Sequence, residues 1–276
     1  MPKLIFNEKN HHYQFDDGRP TISVTKFVEK FKVGFDREYV SKYKACEKLL
    51  PEKQFRSIKR KYKWMTPELL EALSAPLDPK EITKVQKEFK KDWKKINVES
   101  TDKGHAEHAK KEKEAYDKGK LILPLTGEEF IVAPKIAKGF DNYSLVDNLY
   151  DLAPGAYPEL LLWHESGLVG TADMIFISAN PWSGKKTVSI GDIKTNKKLD
   201  YVSWGNKKMK APVDHLDDCH ISHYSLQLSL YAYMMECSGY EIEDLYIDYR
   251  PNDESEIIIV PYLRDEAIAL IENYFK

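Results

Sequence analysis

The 276-residue chain reads as an α/β protein, with a mixed central sheet flanked by helices and a helical N-terminal lobe before it. Three observations carry that reading. Two runs rich in β-branched and aromatic residues, 168–178 and 186–195, are separated by the turn formers Asn180, Pro181, Ser183 and Gly184, which is the pattern of a hairpin. Downstream, an amphipathic stretch from Cys219 to Gly239 precedes strand-like segments at 244–250 and 256–262 and a closing helix over 264–275. Upstream, residues 36–93 read as helical, with an N-cap followed by proline at Thr66-Pro67 and again at Asp78-Pro79. The division falls near residue 98: a hairpin and basic helical lobe over 1–98, and the sheet core over 99–276.

Composition narrows the class. Hydrophobic residues make up 42% of the chain and aromatics 12%, as in folded globular proteins. No stretch approaches the roughly 18 apolar residues of a membrane span, and the N-terminus has no signal-peptide pattern, so a soluble cytoplasmic protein without a membrane partner is expected. Cys46, Cys219 and Cys237 are odd in number and scattered, which argues against a disulfide framework or a zinc ribbon. The net charge of −2 conceals an asymmetry. Residues 1–120 carry 29 Lys or Arg against 20 Asp or Glu, whereas residues 121–276 carry 13 against 24. A basic part suits phosphates and an acidic part suits a cation.

In chain order, residues 3–15 predict a small hairpin turning at 8–10. Ser23 or Thr25 then caps a helix whose apolar face is Phe27, Val28 and Phe31. A hydroxyl-rich helix start also suits a phosphate, although ordinary capping explains it equally well. Within the helical lobe, 53–63 has six basic residues and no acidic one. Lys53, Arg56, Lys59, Arg60 and Lys63 are therefore the candidate phosphate contacts, with Tyr62 and Trp64 at hand for base stacking or, more commonly, packing. A second helix is expected from about Asp102 to Asp117, ended by Gly119, with His108 and Glu112 on one face. A short strand near 128–136 and a helix over 141–149 connect it to the strand that Glu159 opens. The polar stretch 196–212 places Lys197, Lys198, Lys207, Lys208 and Lys210 along a nucleic-acid path, where Tyr201 or Trp204 can stack a base.

The chemistry concentrates on the hairpin. Asp173 lies in its first strand and Asp192 in its second, and Lys194 follows Asp192 by two residues on the same face. These charges sit among Met174, Ile175, Phe176, Ile177, Val188, Ile190 and Ile193, where unpaired carboxylates are expensive. A divalent cation compensates them, and Mg²⁺ favours one or two carboxylates plus water and phosphate oxygens. A structural Asp-Lys ion pair is the plainer alternative.

Gly170, Thr171, Ala172 and Asp173, followed by a turn and then by Gly191, Asp192, Ile193, Lys194 and Thr195, resemble the core of the PD-(D/E)XK nuclease superfamily, specifically its RecB-like exonuclease branch. Gly104 and His108 match that branch's Gly-x-x-x-His helix, and Gln227 and Tyr231 match its Gln-x-x-x-Tyr helix. Thr21 to Thr25 are a looser match to the N-terminal stretch of phage exonucleases and the mitochondrial genome maintenance exonuclease. The resemblance implies a restriction-endonuclease-like core in which His108, Asp173, Asp192 and the carbonyl of Ile193 hold one or two Mg²⁺ or Mn²⁺ ions. It makes Lys194 the residue that orients or deprotonates the attacking water, Gln227 and Tyr231 its positioning partners, and Glu159 a ligand or a partner of the lysine. The iron-sulfur cluster of some relatives needs four cysteines, so none is expected here. The implied activity is a metal-dependent deoxyribonuclease, an exonuclease preferring single-stranded DNA or DNA ends. The alternatives are a duplex-specific exonuclease of the phage recombination type, or a catalytically silent DNA-binding or recombination-accessory protein that keeps the fold.

Overall fold

The structure, a computed structural model, describes residues 4–7, 12–64, 66–135, 138–140, 143–146, 149, 151–180, 184–203, 205–252 and 254–275. The chain divides into two compact units, one made of Met1–Val33 with Gly104–Lys276 and the other of Gly34–Lys103. This differs from a division near residue 98, because the first 33 residues cluster with the sheet.

Strands β1 (Leu4–Asn7) and β2 (His12–Phe15) pair antiparallel as the expected hairpin, whose turn lies outside the described residues. The two-residue β3 (Ile22–Ser23) leads directly into α1 (Val24–Phe31), where the Ser23 hydroxyl accepts the Lys26 N–H and Phe27, Val28 and Phe31 are buried as expected.

The helical unit contains α2 (Arg37–Leu49), α3 (Glu52–Lys59), α4 (Pro67–Ser74) and the first part of α5 (Pro79–Lys118). Its caps are those the sequence predicts: Thr66 accepts from Leu69 N at 3.3 Å, and Asp78 accepts from Lys80 N at 2.9 Å. Tyr43, Leu69, Leu73 and Ile82 form its core. The two helices expected on either side of residue 98 are one 40-residue helix. The Thr101 hydroxyl donates back to the Asn97 carbonyl at 2.9 Å within it, and Gly104 alone costs a helix only about 1 kcal/mol. Gly119, at φ +67°, ends it.

After α5 come the hairpin β4 (Lys120–Ile122) and β5 (Glu129–Ile131), then β6 (Lys138–Phe140) and β7 (Tyr143–Val146). The helix expected over 141–149 is thereby corrected, since its described part is mostly strand. β7 is bonded to both β1 and β6 in a four-stranded sheet ordered β2-β1-β7-β6. Ladder pairing to neighbours overrides local helical appearance, as is usual for short segments.

The central sheet is built from β8 (Gly155–Trp163), β9 (Leu168–Ala179) and β10 (Lys186–Lys194), then α6 (His220–Cys237), β11 (Glu241–Tyr249), β12 (Glu256–Val260) and α7 (Arg264–Tyr274). Its order is β12-β11-β10-β9-β3, with β8 also on β9. The sheet is mixed: β9 runs antiparallel to both β8 and β10, whereas β10 and β11 run parallel because α6 carries the chain across between them. Val24, Phe27, Leu226, Leu230 and Leu270 from α1, α6 and α7 bury one face with Ile175, Ile190 and Ile247. The β4-β5 hairpin supplies Leu123 and Phe130 to the opposite face, against Phe176 and Tyr246. No described helix is long and apolar enough to cross a membrane.

Candidate metal centre

The site begins where a ladder stops. β9 and β10 are paired from Ala179↔Lys186 to Met174↔Gly191, and no further. Asp173 and Asp192 are the next residue on each strand. Strand alternation puts them on the face that carries Ile175, Ile177, Val188 and Ile190, towards α6. The Ile193 N–H no longer has a ladder partner and donates to Asp173 Oδ2 at 2.7 Å. The Ile193 carbonyl leaves the strand on the same side as its N–H, so it too faces the opened edge.

Each acid is held differently. Asp192, 3% exposed, accepts from Gln227 Nε2 at 3.1 Å through Oδ1, while Oδ2 is in ion-pair contact with Lys194 Nζ. Asp173 Oδ1 lies 3.2 Å from His108 Nδ1, and Glu159 Oε1 lies 3.4 Å from the same nitrogen. Glu159 lies inside β8 rather than opening that strand. Pro158 pairs opposite Met174 and Leu160 opposite Ala172, and Glu159 between them has φ +50°, a left-handed conformation that costs a non-glycine residue about 1 kcal/mol or more. The register is unshifted on either side of it, so Glu159 stands opposite Asp173 of β9.

Two glycines are explained by their neighbours. A Cβ on Gly170 would fall 2.8 Å from Tyr231 Cε1, and one on Gly191 would fall 2.3 Å from Tyr246 Cζ. Each motif glycine is therefore a seat for an aromatic ring, and Gly170 is what lets the buried Tyr231 lie against β9 beside the acids.

Burial and charge set the protonation states. Burial alone disfavours the His108 imidazolium, but hydrogen bonds to Asp173 and Glu159 and their charge outweigh it and push the ring up to about 10. Burial raises Glu159 above the usual carboxylate range, His108 opposing it. Asp192 is pushed up to about 6 by burial, with Lys194 opposing and Asp173 assisting. Burial would lower Lys194, yet Asp192 and Asp173 prevail and hold its amine above the ordinary lysine value. At neutral pH the lysine is an ammonium facing a carboxylate.

His108, Glu159 and Asp173 bring three potential ligand atoms within 4.8 Å of one another. Of the four ligands expected, His108 and Asp173 belong to this cluster, and Glu159 completes it. Asp192 stands beside them with both oxygens engaged by Gln227 and Lys194, while Ile193 contributes its opened backbone edge. All these groups except Ile193 line one cavity of about 500 Å³, whose walls also include Ser23, Thr25 and Tyr13. Lys194, Gln227 and Tyr231 open onto it as well.

The expected nucleic-acid contacts fall into two sets. Lys53, Arg56 and Lys59 are exposed on α3, and Arg60 and Lys63 follow it, all on the helical unit whose core takes up Phe55. Trp64 packs edge-on against Tyr43 at 4.5 Å, so it belongs to that unit's core, whereas Tyr62 is exposed. In the loop after β10, Lys197 and Tyr201 are exposed, Lys207 is half-buried, and Lys198 and Lys208 pair with Asp200 at 2.6 Å and Asp217 at 2.7 Å. Trp204 lies outside the described residues. The two acid partners within the loop were not anticipated. Nor was Tyr224, whose ring faces Lys194; its spacing of three from Gln227 on one helix is the signal that points to it.

No protein-family model and no curated protein sequence matches the chain.

Proposed function

We propose that this chain is a metal-dependent deoxyribonuclease with a PD-(D/E)XK core of the RecB-like kind, an exonuclease that hydrolyses phosphodiester bonds of single-stranded DNA or of duplex ends. One observation carries the reading: Asp173, Asp192, Lys194, Glu159 and His108 converge on a single cavity at the point where β9 and β10 part.

The donor set fits Mg²⁺ or Mn²⁺. Carboxylate oxygens with a single imidazole suit these hard cations, and the set lacks the thiolates that would select a softer metal. His108, Asp173 and Glu159 would hold the ion, with Asp192 and the Ile193 carbonyl at its edge. When bound, such an ion supplies Lewis acidity towards a phosphoryl oxygen and lowers the pKa of water.

The residues of the chain do the rest. Water attacks phosphorus as the bond to the 3′ oxygen breaks; the 3′ oxygen takes a proton, and the phosphate stays on the 5′ side of the product. Lys194, kept charged by Asp192, acts as a hydrogen-bond donor that orients the water and offsets charge growing on the phosphoryl oxygens. Gln227 holds Asp192 in the rotamer that faces the lysine. Tyr231, seated on Gly170, closes the floor of the site and keeps bulk water from its apolar side.

Labelled single- and double-stranded DNA incubated with Mg²⁺, Mn²⁺ or EDTA tests the proposal. Wild type is expected to degrade DNA only with metal, and Lys194→Ala to bind DNA while cutting about 10²–10³-fold more slowly. Cutting in EDTA, or full activity of Lys194→Ala, would contradict it.

A further inference from the structure

Lys194 has a partner that the acid pair does not account for. Its Nζ sits 4.8 Å from the ring centroid of Tyr224, on α6. Tyr224 comes three residues before Gln227 and seven before Tyr231, so all three project from one side of the helix towards β10. The ring is itself fixed at several points. Its hydroxyl donates to Asn196 Oδ1 at 3.3 Å, and Asn196 Nδ2 donates to the Lys198 carbonyl. His220 stacks against it with centroids 6.0 Å apart and planes 14° from parallel, and the Asp200 N–H donates to His220 Nδ1 at 3.2 Å. Tyr224 thus joins the catalytic strand, the helix and the first residues of the loop after β10.

Physical chemistry gives this contact a purpose. A lysine has four methylenes to rotate, and one carboxylate fixes only one point of its ammonium. A second carboxylate would fix it better but would occupy another N–H and cancel its charge. The face of an aromatic ring attracts a cation without accepting a conventional hydrogen bond. It restricts the head group while leaving donors for a substrate oxygen and preserving the positive charge.

We propose that Tyr224 is a positioning residue: its ring holds the Lys194 ammonium in the orientation that directs the free N–H groups into the cavity, and its hydroxyl registers that ring against the loop at 196–200. The assignment of a catalytic task to Lys194 rests on the nuclease reading; the contact between ring and ammonium does not.

Two measurements on Tyr224→Phe and Tyr224→Leu separate these. In protein labelled with [¹³Cε]lysine, the Lys194 resonance, assigned by its loss in Lys194→Arg, is expected to be displaced by the ring current in wild type and Tyr224→Phe and to return to the ordinary lysine position in Tyr224→Leu. In metal-dependent degradation of single-stranded DNA, Tyr224→Leu is expected to lose kcat by about 10–100-fold, the scale of a small misplacement of a catalytic group, with KM and DNA affinity in EDTA unchanged. Tyr224→Phe is expected to stay within a few-fold of wild type. A merely structural role would lower the unfolding temperature and DNA affinity together. An undisplaced Lys194 resonance in wild type, or a Tyr224→Leu protein that turns over normally, overturns the assignment while the nuclease reading stands. Absence of cleavage by wild type overturns the nuclease reading and the catalytic purpose of Tyr224 with it, whatever the resonance shows.

Discussion

The two units of this chain treat charge in opposite ways. Gly34–Lys103 carries 18 Lys or Arg against 12 Asp or Glu, and its ion pairs, such as Arg56–Glu52 and Lys44–Glu47, are largely exposed. The rest of the chain carries 24 against 32, and there Asp173 and Asp192 are among the few charged groups buried in an apolar sheet. Exposed pairs contribute about 0–1 kcal/mol each, whereas a buried charge costs several kcal/mol unless it is fully compensated. Charge in the helical unit therefore shapes its surface field, and charge in the sheet unit exists at the expense of stability. That expense is what makes the sheet site the candidate for function.

The largest effect should come from removing a buried acid. Asp173→Asn removes the negative charge and leaves one acceptor oxygen where the Ile193 N–H and His108 now use two, and DNA degradation is expected to fall on the order of 10²–10³-fold. Removing two cations of the helical unit, as in Lys59→Gln with Arg60→Gln, is expected to change kcat by no more than a few-fold. Equal losses from both variants would erase the contrast between the units.

Next come the glycine seats. Gly191→Ala is expected to destabilise the sheet unit by about 1–3 kcal/mol in urea unfolding, because the added methyl meets the Tyr246 ring within β10 and β11, where neither strand can give way. Gly170→Ala is expected to act less on stability than on turnover, since the group it displaces is Tyr231. A fully stable Gly191→Ala protein would mean that Tyr246 swings aside, and that the sheet site tolerates repacking as the helical unit's surface does.

How much of this was legible in sequence follows from where each signal resides. The hairpin, a cap at Ser23 or Thr25, the phase of Asp192 and Lys194, and α6 are all local patterns of period 2 or 3.6 with their own punctuation. The placing of Glu159 opposite Asp173 was not legible, because it depends on the register of β8 against β9. β3 has only two residues and no period, yet its parallel pairing with Leu168 and Val169 is part of what brings the N-terminal segment to the sheet. Tyr224 was visible as an aromatic on the Gln227 face, but its partner is 30 residues away.

Proton linkage separates the units by a smaller margin. His108, near 10 in the fold, titrates near 6.5 when unfolded, so its contacts with Asp173 and Glu159 stabilise the metal-free protein fully below about pH 6.5. That contribution is lost as pH rises through about 10. In EDTA, wild type is expected to lose stability over this window relative to His108→Gln, read by urea unfolding at pH 6, 8 and 10. Divalent cation should replace the proton as the compensating charge and flatten the difference. Parallel profiles for the two proteins in EDTA would remove His108 from the buried cluster.

The smallest effect tests the surface field itself. If α3 meets the phosphate backbone, neutralising Lys53 and Arg56 should weaken single-stranded DNA binding uniformly across sequences and reduce the slope of log K against log salt by about 0.7 for each phosphate no longer neutralised. Phe55 keeps the helix in its core, so the unfolding midpoint should hardly move. Arg56 already has Glu52 at 2.5 Å, and part of its charge is spent within the helix. Lys53, with no such pair among the described residues, should therefore show the greater change in slope. The reverse order, or a slope unchanged by both, would leave the basic helix as a solvated surface, and the phosphate contacts would then fall to the loop after β10, where Lys197 is the exposed cation to replace next.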